Sequence, residues 1–311
     1  MTSERGFDRG VRLVSMVAIL GLGVAISSCS KRSAEQQTFA TPEAAVQAMF
    51  QAVSKGDTTA IRALLGPDAS EVVNRADPVQ AARERQVIAA AMIERWWLEG
   101  EGSTRTIVVG NESYPLPVPL VEEKGRWRFD TAAGKEEMLY RRIGRNELAV
   151  MDVADAFVAA QHEYAAKSHD GVPKGTFAQR FLSEPGRHDG LFWPATPADP
   201  VESPMGELAA KAADEGYRRQ EGRFPYRGYF FKVLTSQGPN APGGERSWIA
   251  ANRMTGGFAL LAWPAEYGKS GVMTFLVGTD GEIRQQDLGA DTGARAEAIH
   301  AFDPDSSWSA P

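Results

Sequence analysis

The chain has 311 residues, 43% hydrophobic and 24% charged, with 31 Gly and 18 Pro, which excludes a collagen-like, coiled-coil or wholly disordered protein. A formal charge of −6 excludes the basic surplus that nucleic-acid binders carry, so no nucleic-acid partner is expected. A single cysteine excludes an intrachain disulfide and any cysteine-based metal site, and length alone suggests about two domains.

Arg5, Arg9 and Arg12 make a positive start, partly offset by Glu4 and Asp8. A charge-free apolar run from Leu13 to Ile26 follows. It is short of the roughly 20 residues a membrane helix needs and suits the apolar region of a signal peptide. The run ends in Ile26-Ser27-Ser28-Cys29, which resembles a bacterial lipobox: an aliphatic residue, two small residues and the cysteine that is acylated. Residues 1–28 are therefore expected to be a lipoprotein signal peptide, Cys29 the lipidated residue and 29–37 a polar tether. Removing the signal peptide takes away three arginines and two acids, leaving a charge of −7.

Thr41-Pro42-Glu43 predicts a helix start, with a capping hydroxyl, a proline at the first position and an acid at the positive dipole end. Val46, Met49, Phe50 and Val53 keep helical spacing until Gly56. Asp57 caps a second helix with Ile61, Leu64 and Leu65 on one face, and Asp77-Pro78 starts a third, expected to run to about Leu98 and to be buried. Thr106 to Val109 reads as a strand and Pro115 to Val121 as an edge strand, because Pro117 and Pro119 cannot donate to a ladder. Arg126 to Phe129 forms another strand after a Lys124-Gly125 turn, its Trp127 and Phe129 alternating with arginines. Helices followed by a strand meander resemble the cone-shaped fold of nuclear-transport-factor-like proteins over residues 38–131.

A charged helix is expected over 134–145, with Glu137 and Arg141 at i,i+4, and Asn146 as the cap of a second helix reaching Lys167. Val150, Ala154, Phe157, Gln161 and Tyr164 form its buried stripe, and Asp170-Gly171 ends the segment. Short helices are expected over Phe177 to Leu182 and Met205 to Glu215, and β structure after that: Tyr229 to Thr235, Gly257 to Trp263, Gly271 to Val277, and Glu282 to Asp287 after an Asp280-Gly281 turn. A long amphipathic helix on an antiparallel meander resembles the head of pilin-like proteins. The expected class is α+β, with an N-terminal domain over 38–133 and a C-terminal helix-plus-antiparallel-sheet domain over 134–311.

Several stretches together carry a resemblance. They are FATPEAAVQAM (39–49), WRFDTAAGKEEMLYRRIGRNEL (127–148), FAQRFLSEPGRHDGLFWP (177–194), GYFFKVLTSQGPNAPGG (228–244), GGFALLAWPAEYGKSGVMTFLV (256–277) and FDPDSSW (302–308). On these stretches the chain resembles the family catalogued as domain of unknown function 2950. The resemblance spans nearly the whole chain after the tether. It implies one shared architecture and a lipid anchor, and brings no activity, cofactor or catalytic residue with it.

No residue pattern for catalysis stands out, and no metal and no cofactor are expected. His162, His169, His188 and His300 lack the i,i+4 spacing of a helical zinc site. His188-Asp189, between Gly186 and Gly190, places a base beside an orienting acid, although a polar turn explains the same residues. Ser270 fails the nucleophile-elbow pattern because Val272 stands where glycine is needed. Phe192, Trp193 and Tyr267 lie in loops rich in Gly and Pro, where binding residues often sit, so with His188 and Asp189 they are the candidate ligand contacts. A hydrophobic plug is the competing reading for these aromatics.

Three functions remain. The preferred one is a lipid-anchored envelope protein at the outer membrane, facing the periplasm, which binds an envelope protein or polymer without catalysis. The second is a small-molecule binder or enzyme with a pocket in the N-terminal cone, using Glu94 or Glu99 beside Trp96 and Trp97 as acid/base groups. The third is a pilin-like structural subunit, which needs an open sheet edge.

Overall fold

The computed structural model describes residues 36–67, 69, 78–214 and 225–311. The signal peptide, Cys29, most of the tether and the Asp77 cap lie outside the described residues. Two helices come first, α1 (Pro42–Ser54) and α2 (Thr58–Leu65). Thr41 Oγ1 accepts the Ala44 N–H at 3.2 Å, and Asp57 Oδ1 accepts from Thr59 and Ala60, so both expected caps are in place. Helix α3 (Pro78–Glu94) stops short of Leu98: Trp96 to Glu99 instead form strand β1, their bulky side chains paired against β2 (Thr104–Val109). Nor is the end of α3 wholly buried; Val87 and Ile93 are 68% and 72% exposed.

The first sheet has the order β1-β2-β4-β5, all antiparallel, with β3 (Tyr114–Pro115) on β2, β4 (Leu120–Glu123) and β5 (Arg126–Phe129). The expected strand over Pro115 to Val121 is thus broken in two, since the prolines at 117 and 119 interrupt any ladder. Alternation points Ile107, Val109, Leu120, Trp127 and Phe129 at α1 and α2, where Val46, Leu64 and Leu65 complete an apolar core.

One continuous helix, α4 (Thr131–Ala165), replaces the two expected around Asn146. Asp130 caps it through the Ala133 N–H. Its first turn belongs to the first core: Thr131 Oγ1 donates to the Leu65 carbonyl at 2.5 Å, and Gly134 lies so close to Val118 that a Cβ would stand 2.6 Å from Cγ2. Two turns later Arg141 pairs with Glu137 at 2.7 Å and donates to the Pro115 carbonyl. From Val150 on, the expected stripe is buried throughout against the second sheet.

That sheet has the order β13-β12-β11-β6, antiparallel throughout: β6 (Tyr229–Leu234), β11 (Ala259–Pro264), β12 (Met273–Gly278) and β13 (Ile283–Asp287). Short ladders β7 (Ser236–Gln237) with β8 (Arg246–Ser247), and β9 (Ile249–Ala250) with β10 (Arg253–Met254), sit in the β6–β11 connection. Val150 of α4 packs on Tyr229, Ala262 and Phe275. Helix α6 (Thr292–Ala298), in a segment expected to be β, packs on β11. Lys232 of β6 donates to the Glu297 and Ile299 carbonyls at the C-terminal end of α6, a favourable place for a cation. The expected helix over Phe177 to Leu182 is absent. Phe177 pairs with Met254 and Leu182 with Phe192 as single bridges. Helix α5 (Gly206–Asp214) forms where expected. The outer edge of β13 is closed by Gln285 and Ser309, which exchange N–H···O bonds of 2.8 and 3.0 Å, so the edge a pilin-like assembly would use is occupied there.

Candidate functional site

The loops after α4 gather most of the expected contact residues. Asp170 and Gly171 both take left-handed backbone conformations, with φ of 45° and 81°, which lets His169 and Val172 bond to each other across a tight turn. Asp tolerates this conformation because its short side chain bonds locally. Here Asp170 Oδ2 accepts the backbone N–H of His188 at 2.5 Å. The His188 ring stands between two carboxylates, with Nε2 at 2.7 Å from Asp199 Oδ2 and Nδ1 at 3.5 Å from Asp170 Oδ1. Its carbonyl accepts the Tyr164 hydroxyl at 2.7 Å. Tyr164 stacks on His169 at 4.2 Å, and Trp193 lies 4.4 Å from His188 and 5.7 Å from His169. Burial, with the charges of Asp189 and Asp170 second, pushes the Tyr164 hydroxyl up to about 12.

The candidate residues in this cluster have structural partners. Trp193 is only 4% exposed, and its Nε1 donates to the Val201 carbonyl. Phe192 is half-buried and bridged through its backbone to Phe181 and Ser183. Asp189 does not orient His188; it accepts the Glu184 N–H at 2.9 Å and lies about 4 Å from Arg180 and Arg187. Gly190 is needed for closeness, because a Cβ there would meet the Leu182 and Ser183 backbone at 2.7 Å. With both His188 nitrogens facing carboxylates, the cluster fastens three loop segments together and leaves no base facing a nucleophile. Among the described residues, no group of three or more His, Cys, Asp or Glu is arranged to hold a metal.

Tyr267 is elsewhere. Its hydroxyl donates to Asp287 Oδ2 at 3.1 Å, which raises its pKa through that bond. Its turn is held by the middle of α4: Asn146 Nδ2 donates to the Ser270 carbonyl, and Glu147 Oε1 accepts the Val272 and Met273 N–H groups at 2.9 and 3.0 Å. Seventeen helical residues, about 25 Å, separate Glu147 from Tyr164. Burial and the nearby Glu147 carboxylate also push the Tyr229 hydroxyl far up; it donates to the Met273 carbonyl. Glu94 and Glu99 are exposed and serve local contacts: Glu94 accepts the Asn111 N–H, and Glu99 accepts Trp97 Nε1. Neither is part of the apolar N-terminal core.

The sequence reading missed a cleft of about 260 Å³ beside the centre of α4. Arg145, Leu148, Ala149 and Asp152 line one wall at i, i+3, i+4 and i+7. Leu208 and Lys211 of α5 face them, and the Tyr226-Arg227 turn closes one end. That turn is built tightly. Arg227 and Gly228 are both left-handed, Tyr226 and Tyr229 exchange backbone bonds of 2.9 Å, and a Cβ on Gly228 would stand 2.9 Å from Asn146 Nδ2. The available signal was the second, mixed stripe of α4 running beside its apolar one. A family model described as "Protein of unknown function (DUF2950)" matches residues 36–310. No curated protein and no solved structure matches the chain.

Proposed function

The chain belongs to the family described as "Protein of unknown function (DUF2950)", and we propose that it is a lipid-anchored protein of the cell envelope acting as a non-catalytic binding module. The observation that carries this reading is Ile26-Ser27-Ser28-Cys29 at the end of a charge-free apolar run. The geometry of the first described residues fits an anchor immediately before them. Gln36 Nε2 donates to the carbonyls of Leu64 and Phe129, so the chain is fastened to the first core seven positions after Cys29. Seven residues of any conformation reach at most about 25 Å, which bounds how far the body can stand from an anchored cysteine. No helix among the described residues is long and apolar enough to cross a membrane. Two or more acyl chains supply stable attachment where one gives only marginal binding. Ser30 rather than Asp after the cysteine fits the outer membrane, by resemblance to other bacterial lipoproteins. The bound partner would be a ligand or polymer of the periplasmic space, met at the cleft beside α4.

Labelling with a palmitate analogue should tag the wild type and not Cys29→Ala. The variant should move to the soluble fraction or stall uncleaved at the inner membrane. A wild type that takes no label and fractionates as soluble would overturn the anchor.

A further inference from the structure

The cleft beside α4 carries a charge pattern unlike that of the molecule around it. The whole chain is acidic, yet among the described residues Arg145 and Lys211, with Arg227 beside them, line this cavity against one carboxylate, Asp152. Arg145 and Lys211 have no ion pair or hydrogen bond to a described residue. They come from different helices, so their convergence is a product of the fold. Arg227 is placed there by a turn that holds an arginine in the left-handed region, where glycine or asparagine is favoured. Such strain persists only where the surroundings over-determine it. Here Gly228 is wedged against Asn146 and Ser270, and its carbonyl accepts the Ala265 N–H at 2.9 Å. Between the cations the surface is apolar: Leu148 is 60% exposed at the mouth, with Leu208 and buried Val153 below. A large exposed aliphatic side chain inside a cationic cleft is a poor arrangement for solvation and a good one for an amphiphilic anion.

We infer that this cleft binds a small organic anion, a carboxylate or phosphate carrying a short apolar group. The inference deepens the binding-module reading and rests on it; it does not depend on lipidation. At about 260 Å³ the cavity holds the volume of roughly nine waters, enough for a headgroup with a few methylenes and too little for a long acyl chain. The anion meets Arg145 and Lys211, and its apolar part covers Leu148 and Leu208. The same chemistry has two sources near a membrane: a free short-chain acid, or the headgroup region of an anionic phospholipid.

The test uses the full chain in a non-ionic detergent, with binding read by saturation-transfer NMR. The probes are hexanoate, its neutral amide, and monomeric dihexanoyl phosphatidylglycerol and phosphatidylcholine. Hexanoate or the phosphatidylglycerol should bind about tenfold more tightly than the uncharged or zwitterionic counterpart, and added salt should weaken the binding. Preference for hexanoate assigns the site to free acids; preference for the phosphatidylglycerol assigns it to lipid headgroups. Arg145→Gln with Lys211→Gln should lower that affinity about tenfold at an unchanged melting temperature, since both side chains are exposed. Equal binding of charged and uncharged probes, binding unaffected by the double variant, or no binding of either anion overturns the inference. Palmitate labelling of Cys29 is independent of these results, so a failed anchor and a failed cleft are told apart.

Discussion

At the scale of single residues, the loops after α4 show how a candidate binding residue becomes a fastening. Trp193 drew notice as an aromatic in a loop rich in Gly and Pro, and in the fold it is buried between His169 and His188. Trp193→Ala should therefore cost about 3–5 kcal/mol in chemical denaturation; an unchanged stability would mean that the ring faces a partner. Tyr164 gives a pH-dependent counterpart. Its hydroxyl titrates near 12 in the folded chain against about 10 when unfolded, so its contribution is complete below pH 10 and disappears as the pH rises toward 12. Tyr164→Phe should lose about 1 kcal/mol at neutral pH, the net worth of the bond to the His188 carbonyl. It should also show a shallower fall in melting temperature between pH 10 and 12 than the wild type. The sequence made His188 visible as a residue with an acidic neighbour, but it pointed to the wrong acid. Asp199 and Asp170 lie 11 and 18 positions away, brought in by turns whose contacts leave no periodic trace.

Secondary structure was more legible, because caps and periods are local. Thr41, Asp57 and the stripe from Val150 to Tyr164 read correctly because each depends on residues within a few turns. The errors lie where tertiary contacts override local preference. Trp96 to Glu99 continue a helical pattern but are captured by β2, and Asn146 reads as the cap of a second helix where burial and side contacts sustain a single one that runs through Gly134 and Gly144. The two glycines predict opposite outcomes for one substitution. Gly144→Ala meets nothing within 4 Å and should stabilise by about 1 kcal/mol. Gly134→Ala gains the same propensity, but its methyl would stand 2.6 Å from Val118 Cγ2 and 3.0 Å from Val118 Cα; overpacking of about 1–3 kcal/mol should win. Thermal melts of the pair, with Val118→Ala as a rescue for the second, separate the effects. Limited proteolysis should spare both 131–134 and 238–244. The first is a buried helical turn, and the second is pinned by Gln237 Nε2 to the Pro242 and Gly244 carbonyls and by Asp303 to the Asn240 N–H.

For the whole molecule, the question is how the two apolar cores behave together. One is built from residues before 130 and the other from residue 150 onward; α4 packs in the second and touches the first through Thr131 and Gly134. Leu120→Ala in the first core should cost about 2–5 kcal/mol. If α4 transmits that loss, hydrogen exchange at Leu261 and Leu276 of the second core should accelerate as well. Full protection there would mean two independently folding units with a boundary near 134. The helix also works as a ruler. Gly134 must meet Val118 while Asn146 and Glu147 meet the 270–273 turn, and the rod between them has a fixed pitch. Inserting one residue next to Gly144 would turn everything beyond it by about 100° and advance it about 1.5 Å; inserting four would turn it by about 40° and advance it about 6 Å. Either change takes one set of contacts out of register. The stretch from 135 to 145 should therefore accept many exchanges of side chain and almost no change in number of residues, a constraint on length carried by a segment that is largely at the surface.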